Sequence, residues 1–82
     1  MNAFILVQTE PGKAARIAEQ IRSLEGVTEA VGVSGPYDVI ARARVRDLRH
    51  LHALVLDRLR TMEGVLRALP SSVLSPQLSQ RT

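Results

Sequence analysis

Cysteine and tryptophan are absent from the 82 residues, and the aromatics amount to Phe4 and Tyr37. Without thiols there are no disulfides, no thiolate metal sites and no cysteine nucleophiles. The shortage of rings weighs against nucleic acid, because sequence-tolerant single-strand binding rests on several stacking side chains, and an RNA-recognition sheet on two or three. No apolar run approaches the roughly 18 to 20 residues of a membrane span, and the N-terminus has neither the basic segment nor the long apolar stretch of a signal peptide. A cytoplasmic protein with no membrane partner is the expectation. Lysine is scarce too: Lys13 stands against ten arginines, and with eight acids the net charge is +3. The arginines are dispersed among the acids with no basic run, which suits solvated helix faces rather than a phosphate-binding surface, so no direct DNA binding is expected.

The length allows one compact domain. A chain of this size buries only about 60% of its unfolded surface, so support from a partner chain is expected. What the sequence does contain is a repeat. Residues 21–27 read IRSLEGV, and 38 positions later residues 59–65 read LRTMEGV. The same offset carries Val7 onto Val45, Thr9 onto Asp47 and Ile17 onto Val55. Thr9 and Asp47 are both of the type that caps a helix N-terminus, while Gly26 and Gly64 are of the type that closes a helix in the left-handed conformation. Each half therefore reads strand, helix, strand.

In the first half, residues 3–9 form a short, β-branched apolar strand, Pro11 falls near the first helical position, and a helix runs to about Glu25 with Ala14, Ile17, Ala18, Ile21 and Leu24 on one stripe. A second strand follows over residues 27–33. In the second half, residues 37–45 alternate with period two: Val39, Ala41, Ala43 and Val45 on one face, Ile40, Arg42 and Arg44 on the other. A helix over residues 48–63 places Leu48, Leu51, Val55, Leu59 and Met62 on its stripe, and residues 65–71 make the last strand before a Ser/Pro-rich tail. The order βαββαβ defines an α+β, ferredoxin-like domain, an antiparallel sheet with two helices on one face. The other face is then open. Phe4 and Leu6 point there while Ile5 and Val7 point to the helices, so neither side of the first strand suits water, and a sheet-to-sheet dimer through Phe4, Leu6, Ile40, Arg42 and Arg44 is expected.

Little in the chain suggests chemistry. His50 and His52 lie about 200° apart around a helix, which denies them a shared metal. Glu25 and Glu63 sit at matching helix ends and read as surface. No metal and no cofactor is expected. The stretch Ser34, Gly35, Pro36, Tyr37, Asp38 stands out, because Gly35 can take positive φ, Pro36 fixes its own, and Asp38 opens a strand beside a tyrosine. Two readings stand side by side: a hairpin turn in which Asp38 caps loop N–H groups, or a ligand contact.

The opening strand, residues 24–45 (LEGVTEAVGVSGPYDVIARARV) and residues 62–69 (MEGVLRAL) together resemble the effector-binding module of the leucine-responsive regulatory protein/AsnC family, the regulation-of-amino-acid-metabolism module. Gly35, Tyr37 and Asp38 match its Gly-x-Tyr-Asp turn. The resemblance covers residues 1–75, leaving residues 76–82 as a tail. It implies a dimer joined through its sheets and further assembly of dimers, up to an octamer. It also implies a small effector, an amino acid, held between dimers by Gly35, Pro36, Tyr37 and Asp38. Family regulators carry a helix-turn-helix domain before this module, and here the first strand begins at Ala3. The similarity is therefore to stand-alone modules, which act through oligomerisation or through a full-length regulator of the family. No enzyme activity is expected. The alternatives sharing the fold are a small dimeric αβ-barrel monooxygenase or isomerase, whose pocket needs inward polar residues, and an ACT-type amino-acid sensor, which binds at helix-facing interfaces.

Overall fold

A computed structural model describes residues 1–72. Of the Ser/Pro-rich stretch from Pro70, expected to be no core element, residues 70–72 continue β4 and pair with residues 3–5; Val73 and Leu74, expected to contact a neighbouring chain, and the tail at 76–82 lie outside the described residues. The elements are β1 (Asn2–Thr9), α1 (Ala14–Arg22), β2 (Val27–Gly32), β3 (Val39–Arg44), α2 (Leu48–Leu54), which continues as a π-helical turn (Val55–Leu59), and β4 (Val65–Ser72). All neighbouring strands are antiparallel in the order β2-β3-β1-β4, the ferredoxin-like arrangement.

The alternation of the strands decides the layers. Ile5, Val7, Val39, Ala41 and Ala43 are fully buried, and they share one cluster with Ile17 and Ile21 of α1 and Leu51, Leu54, Val55 and Leu59 of the second helical segment. The core thus lies between one sheet face and both helices. On the opposite face, Phe4, Leu6 and Ile40 are half-buried, and Arg42 and Arg44 are exposed.

The repeat survives as hydrogen bonds. Gly26 and Gly64 both take φ +93°, and each closes its helix with the same turn: Val27 N–H to Leu24 O at 3.1 Å, Val65 N–H to Met62 O at 3.2 Å. Arg22 donates to Ala30 O of the edge strand β2, and Arg60, 38 positions later, donates to Ala68 O of the edge strand β4.

Two expectations are corrected at the helix starts. Thr9 is no cap: it ends β1, and α1 begins only at Ala14, with Lys13 in the capping position and no side-chain bond there. The intervening Pro11 and Gly12 make a turn, Gly12 at φ +80°, that delays the helix. Leu48, assigned to the apolar stripe, is 52% exposed, and Leu54, outside that stripe, is buried at 7% beside Leu51 and Val55. Helix α1 also stops at Arg22 rather than Glu25, the last residues before Gly26 forming the closing turn.

Candidate functional site: the β2–β3 turn and the open sheet face

The turn before β3 is tied to the end of β1 at three points. Asp38 Oδ2 accepts from Thr9 N–H at 2.9 Å, Asp38 N–H donates to Val7 O at 2.9 Å, and Pro36 O accepts from Gln8 Nε2 at 3.0 Å. On the other side Val33 N–H donates to Asp38 O at 2.8 Å, closing the hairpin. Asp38 therefore holds the loop, which is what its hairpin-turn reading requires, and among the described residues its Oδ1 accepts nothing. Thr9 N–H needs this acceptor because the pairing of β1 with β3 ends at Val7 and Val39. On its other side the pairing of β1 with β4 is irregular. Gln8 faces Arg67 while Thr9 faces Val65, so Leu66 is an extra residue in β4. The tip of the turn stays in water: Ser34, Gly35 and Pro36 are exposed, Tyr37 and Asp38 half-buried. Gly35 adopts φ +147°, a conformation that L side chains rarely adopt. The four expected site residues thus form one turn, bonded to β1 through Pro36 and Asp38 and exposed at its tip. Gln8, which anchors it, was not singled out from sequence; the only signal was its place at the open end of β1.

The open sheet face has more order than its five expected residues suggest. Pairing aligns Val31, Ile40, Leu6 and Leu69 in one row across all four strands, every member apolar. The next row is Glu29, Arg42, Phe4 and Ser71. Within it Arg42 lies 5.4 Å from the Phe4 ring centroid and 3.3 Å from Glu29 Oε1. Arg42 therefore roofs an apolar ring with a charged plane, an arrangement worth about 0.5–1 kcal/mol at an exposed site. Arg44 lies one row further out, opposite Asn2.

The histidines are engaged otherwise. His50 N–H donates to Asp47 Oδ1 at 2.8 Å, and its Nδ1 accepts from Arg46 N–H at 3.1 Å, a reciprocal cap on α2. His52 is exposed. Among the described residues no group of three or more His, Cys, Asp or Glu could hold a metal ion. Half-exposed Lys13 has its pKa raised above the ordinary 10.5 by its hydrogen bond to Glu10, 2.7 Å away, and by that carboxylate's charge, with Glu63 adding to it. No helix among these residues is long and apolar enough to cross a membrane.

With this geometry in hand the comparisons are specific. The Lrp/AsnC ligand binding domain family matches residues 2–81, and the chain belongs to that family. A relative among curated proteins, an uncharacterized HTH-type transcriptional regulator of Pyrococcus abyssi, is 30% identical over 73 residues, covering 89% of this chain and 46% of the relative. The chain spans about half the length of the curated relatives it matches. Among solved structures, a protein of Thermus thermophilus superposes with a TM-score of 0.83 at 30% identity, covering 90% of this chain and 92% of its own. A transcriptional regulator of Neisseria meningitidis in complex with L-methionine superposes with a TM-score of 0.78 at 30% identity, covering 92% of this chain and 50% of the regulator. The domain is thus a ligand-binding domain of the kind found in transcriptional regulators.

Proposed function

We propose that this chain is an effector-sensing module that binds a small α-amino acid at Gly35, Pro36, Tyr37 and Asp38, dimerises through Phe4, Leu6, Ile40, Arg42 and Arg44, and couples ligand to assembly of dimers. The observation that carries the reading is the turn itself. It is fixed to β1 by Asp38 and Gln8, yet its tip is exposed, and among the described residues Asp38 Oδ1 accepts no hydrogen bond. Such an element suits a zwitterion between subunits: the carboxylate approaches backbone N–H groups at Gly35, the ammonium finds Asp38, and Tyr37 supplies an apolar wall with a polar tip. The L-methionine complex of the Neisseria meningitidis regulator supports an amino acid as the ligand class. Burial between subunits makes binding and assembly reciprocal, so coupling of about 1–3 kcal/mol changes oligomer affinity roughly five- to 150-fold. The signal reaches DNA through a full-length regulator of the family, since the arginines of this module are interleaved with acids and form no stripe. Its site of action is the cytoplasm.

The enzyme alternative is disfavoured by the inner face of the sheet. A catalytic pocket between sheet and helices needs polar groups there, and among the described residues the one buried polar residue is Thr9.

A thermal-shift screen of the twenty amino acids, with Asp38→Asn as the discriminating variant, tests the proposal. Asparagine keeps a carbonyl acceptor for Thr9 N–H and removes the charge. The expected outcome is at least one amino acid that raises the melting temperature of the native chain, with Asp38→Asn unchanged without ligand and shifted less with it. A hit undiminished in both Asp38→Asn and Asp38→Ala assigns the turn a structural role only.

A further inference from the structure

We infer that assembling copies meet at the outer edge of β2, where two chains pair antiparallel, β2 against β2, about a twofold axis at Gly32. The inference takes the sheet-face dimer proposed above as the unit that assembles, and it needs no ligand. A sheet edge is a row of unused N–H and C=O groups, which proteins usually block. Alternation along the strands locates those groups here. Val33 N–H bonds Asp38 O, so Val31 also directs its groups to β3, while Ala30 and Gly32 direct theirs outward. At the opposite edge Leu69 pairs with Leu6, which leaves Ala68 and Pro70 outward in β4.

The two edges are not equally closed. On β4, Arg60 Nε and Nη2 both donate to Ala68 O, at 3.3 and 3.0 Å, Pro70 has no N–H to offer, and the extra residue Leu66 breaks the line of the strand. On β2, Arg22 Nη1 covers Ala30 O at 2.6 Å, and Gly32 keeps both of its outward groups. The repeat offset of 38 takes Gly32 to Pro70, so the position that closes one edge opens the other. The flanking helices differ in the same sense. Ala14, Ala15 and Ala18 of α1 leave a cleft of about 440 Å³ along Gly32 and Val33, whereas His52 and Leu56 crowd Pro70 in a cleft of about 200 Å³. A second backbone can therefore reach strand distance, about 4.8 Å, at β2 and not at β4. With one open edge per chain, pairing joins like to like and closes at two sheets rather than running on as a fibre.

The stretch is also self-complementary. Residues 30–34 read AVGVS, nearly the same in both directions about Gly32, and carry no charge. A twofold axis at Gly32 sets that residue against its own copy, with two reciprocal N–H···O bonds, and sets Val31 against Val33 of the second chain. Val31 and Val33 are 52% and 36% exposed, and both lie on the open side of the sheet, so the pairing covers apolar surface and prolongs the row of Ile40, Leu6 and Leu69. Gly32 itself has no other explanation in the fold. The other four glycines take positive φ and Gly32 does not, and a Cβ on it meets only Asp38 O, at an ordinary 3.8 Å. Nothing within the protomer asks for glycine there, whereas a second backbone passing beside α1 does.

Sedimentation of the full chain, Gly32→Pro and Leu6→Lys tests this. Gly32→Pro removes the outward N–H and puts a ring in the path of the second strand, as Pro70 does at the matching position of the other half. The native chain is expected to form species larger than a dimer, and Gly32→Pro to stop at the dimer with native circular dichroism, its dimer–dimer association weakened about 30-fold or more for the two lost bonds. Two bonds and a pair of valine contacts are too few to hold lone protomers together at micromolar concentration, so Leu6→Lys is expected to lose both levels of assembly. Amide exchange followed by NMR gives a second readout: in the native assembly Gly32 N–H should exchange at least about tenfold more slowly than an unstructured amide. Native mass in a folded Gly32→Pro overturns the pairing. Free exchange at Gly32 in the native assembly overturns it as well, and decides the matter even where the proline variant does not fold. A native chain that stops at a dimer which Leu6→Lys abolishes and Gly32→Pro leaves intact also sinks it. If Leu6→Lys keeps the native mass and Gly32→Pro lowers it, the sheet-face dimer fails and the edge pairing stands.

Discussion

Gly64 and Gly12 hold similar backbone conformations, φ +93° and +80°, and differ in what surrounds them. A Cβ on Gly12 meets nothing within 4 Å, but one on Gly64 comes within 2.9 Å of Ile17 Cδ1 and 3.2 Å of Lys13 Cδ. Lys13 can swing into water. Ile17 cannot, since it is 1% exposed and sits among Ile21, Val55 and Leu59. Gly12→Ala is therefore expected to cost only the left-handed penalty, about 1 kcal/mol, and Gly64→Ala that penalty plus core displacement, about 2–3 kcal/mol in all. Urea denaturation of the two variants checks this, and equal costs would show that Ile17 relaxes freely. The EGV repeat is visible in the sequence, so the need for glycine at 26 and 64 was legible there. The greater cost at 64 was not, because it depends on which side chain of the other half lies opposite.

At the scale of elements, the second helical segment shows both what patterning conveys and where it stops. Asp47 was legible as a cap from residue type and position, and its Oδ1 does hold His50 N–H. Asp47→Ala is expected to cost about 1 kcal/mol, seen as a lower urea midpoint with an unchanged slope. Asp47→Asn, which keeps an acceptor, should retain most of the stability. Thr9 carried the same signal and does not cap, because the Pro11–Gly12 turn delays α1 to Ala14 and the Thr9 hydroxyl donates to Glu10 O at 3.1 Å instead. Local chemistry nominated both residues; the intervening turn decided between them. The π turn had no signal at all. Leu51, Val55 and Leu59 recur every four residues, and four residues of an α-helix turn about 400°, so Leu59 would drift about 80° from Leu51 around an ideal axis. The wide turn, with Arg60 N–H reaching Val55 O at 2.9 Å, removes that drift and leaves all three buried. Packing imposes it, with no glycine or proline within the turn to announce it. The element order was readable from the repeat and the two faces of β3 from period two, whereas the tie between Gln8 and the turn required the strands to be placed side by side.

For the whole molecule the decisive feature is the uncovered sheet face. A row of Val31, Ile40, Leu6 and Leu69 crosses four strands, roughly 14–15 Å at the usual strand spacing, and its two central members are half-buried by their neighbours alone. Val31 is 52% exposed, which leaves apolar surface in water that a second sheet would cover. In the proposed dimer, a twofold axis through the face would set each apolar row against its counterpart, with Arg42 still beside Phe4 and Glu29, so no charge need be buried unpaired. Leu6→Lys inserts a cation into the middle of that row without touching the helix-side core of Ile5 and Val7. The expected outcome is a monomer by sedimentation at micromolar concentration, a weakening of about 100-fold or more, with helical circular dichroism retained. The native melting temperature should rise with protein concentration, and that of Leu6→Lys should not. A native chain that sediments as a monomer, or a Leu6→Lys variant that keeps its full assembly mass, would mean the open face is not the dimer surface, and the ligand at the turn would then have to act within a single protomer.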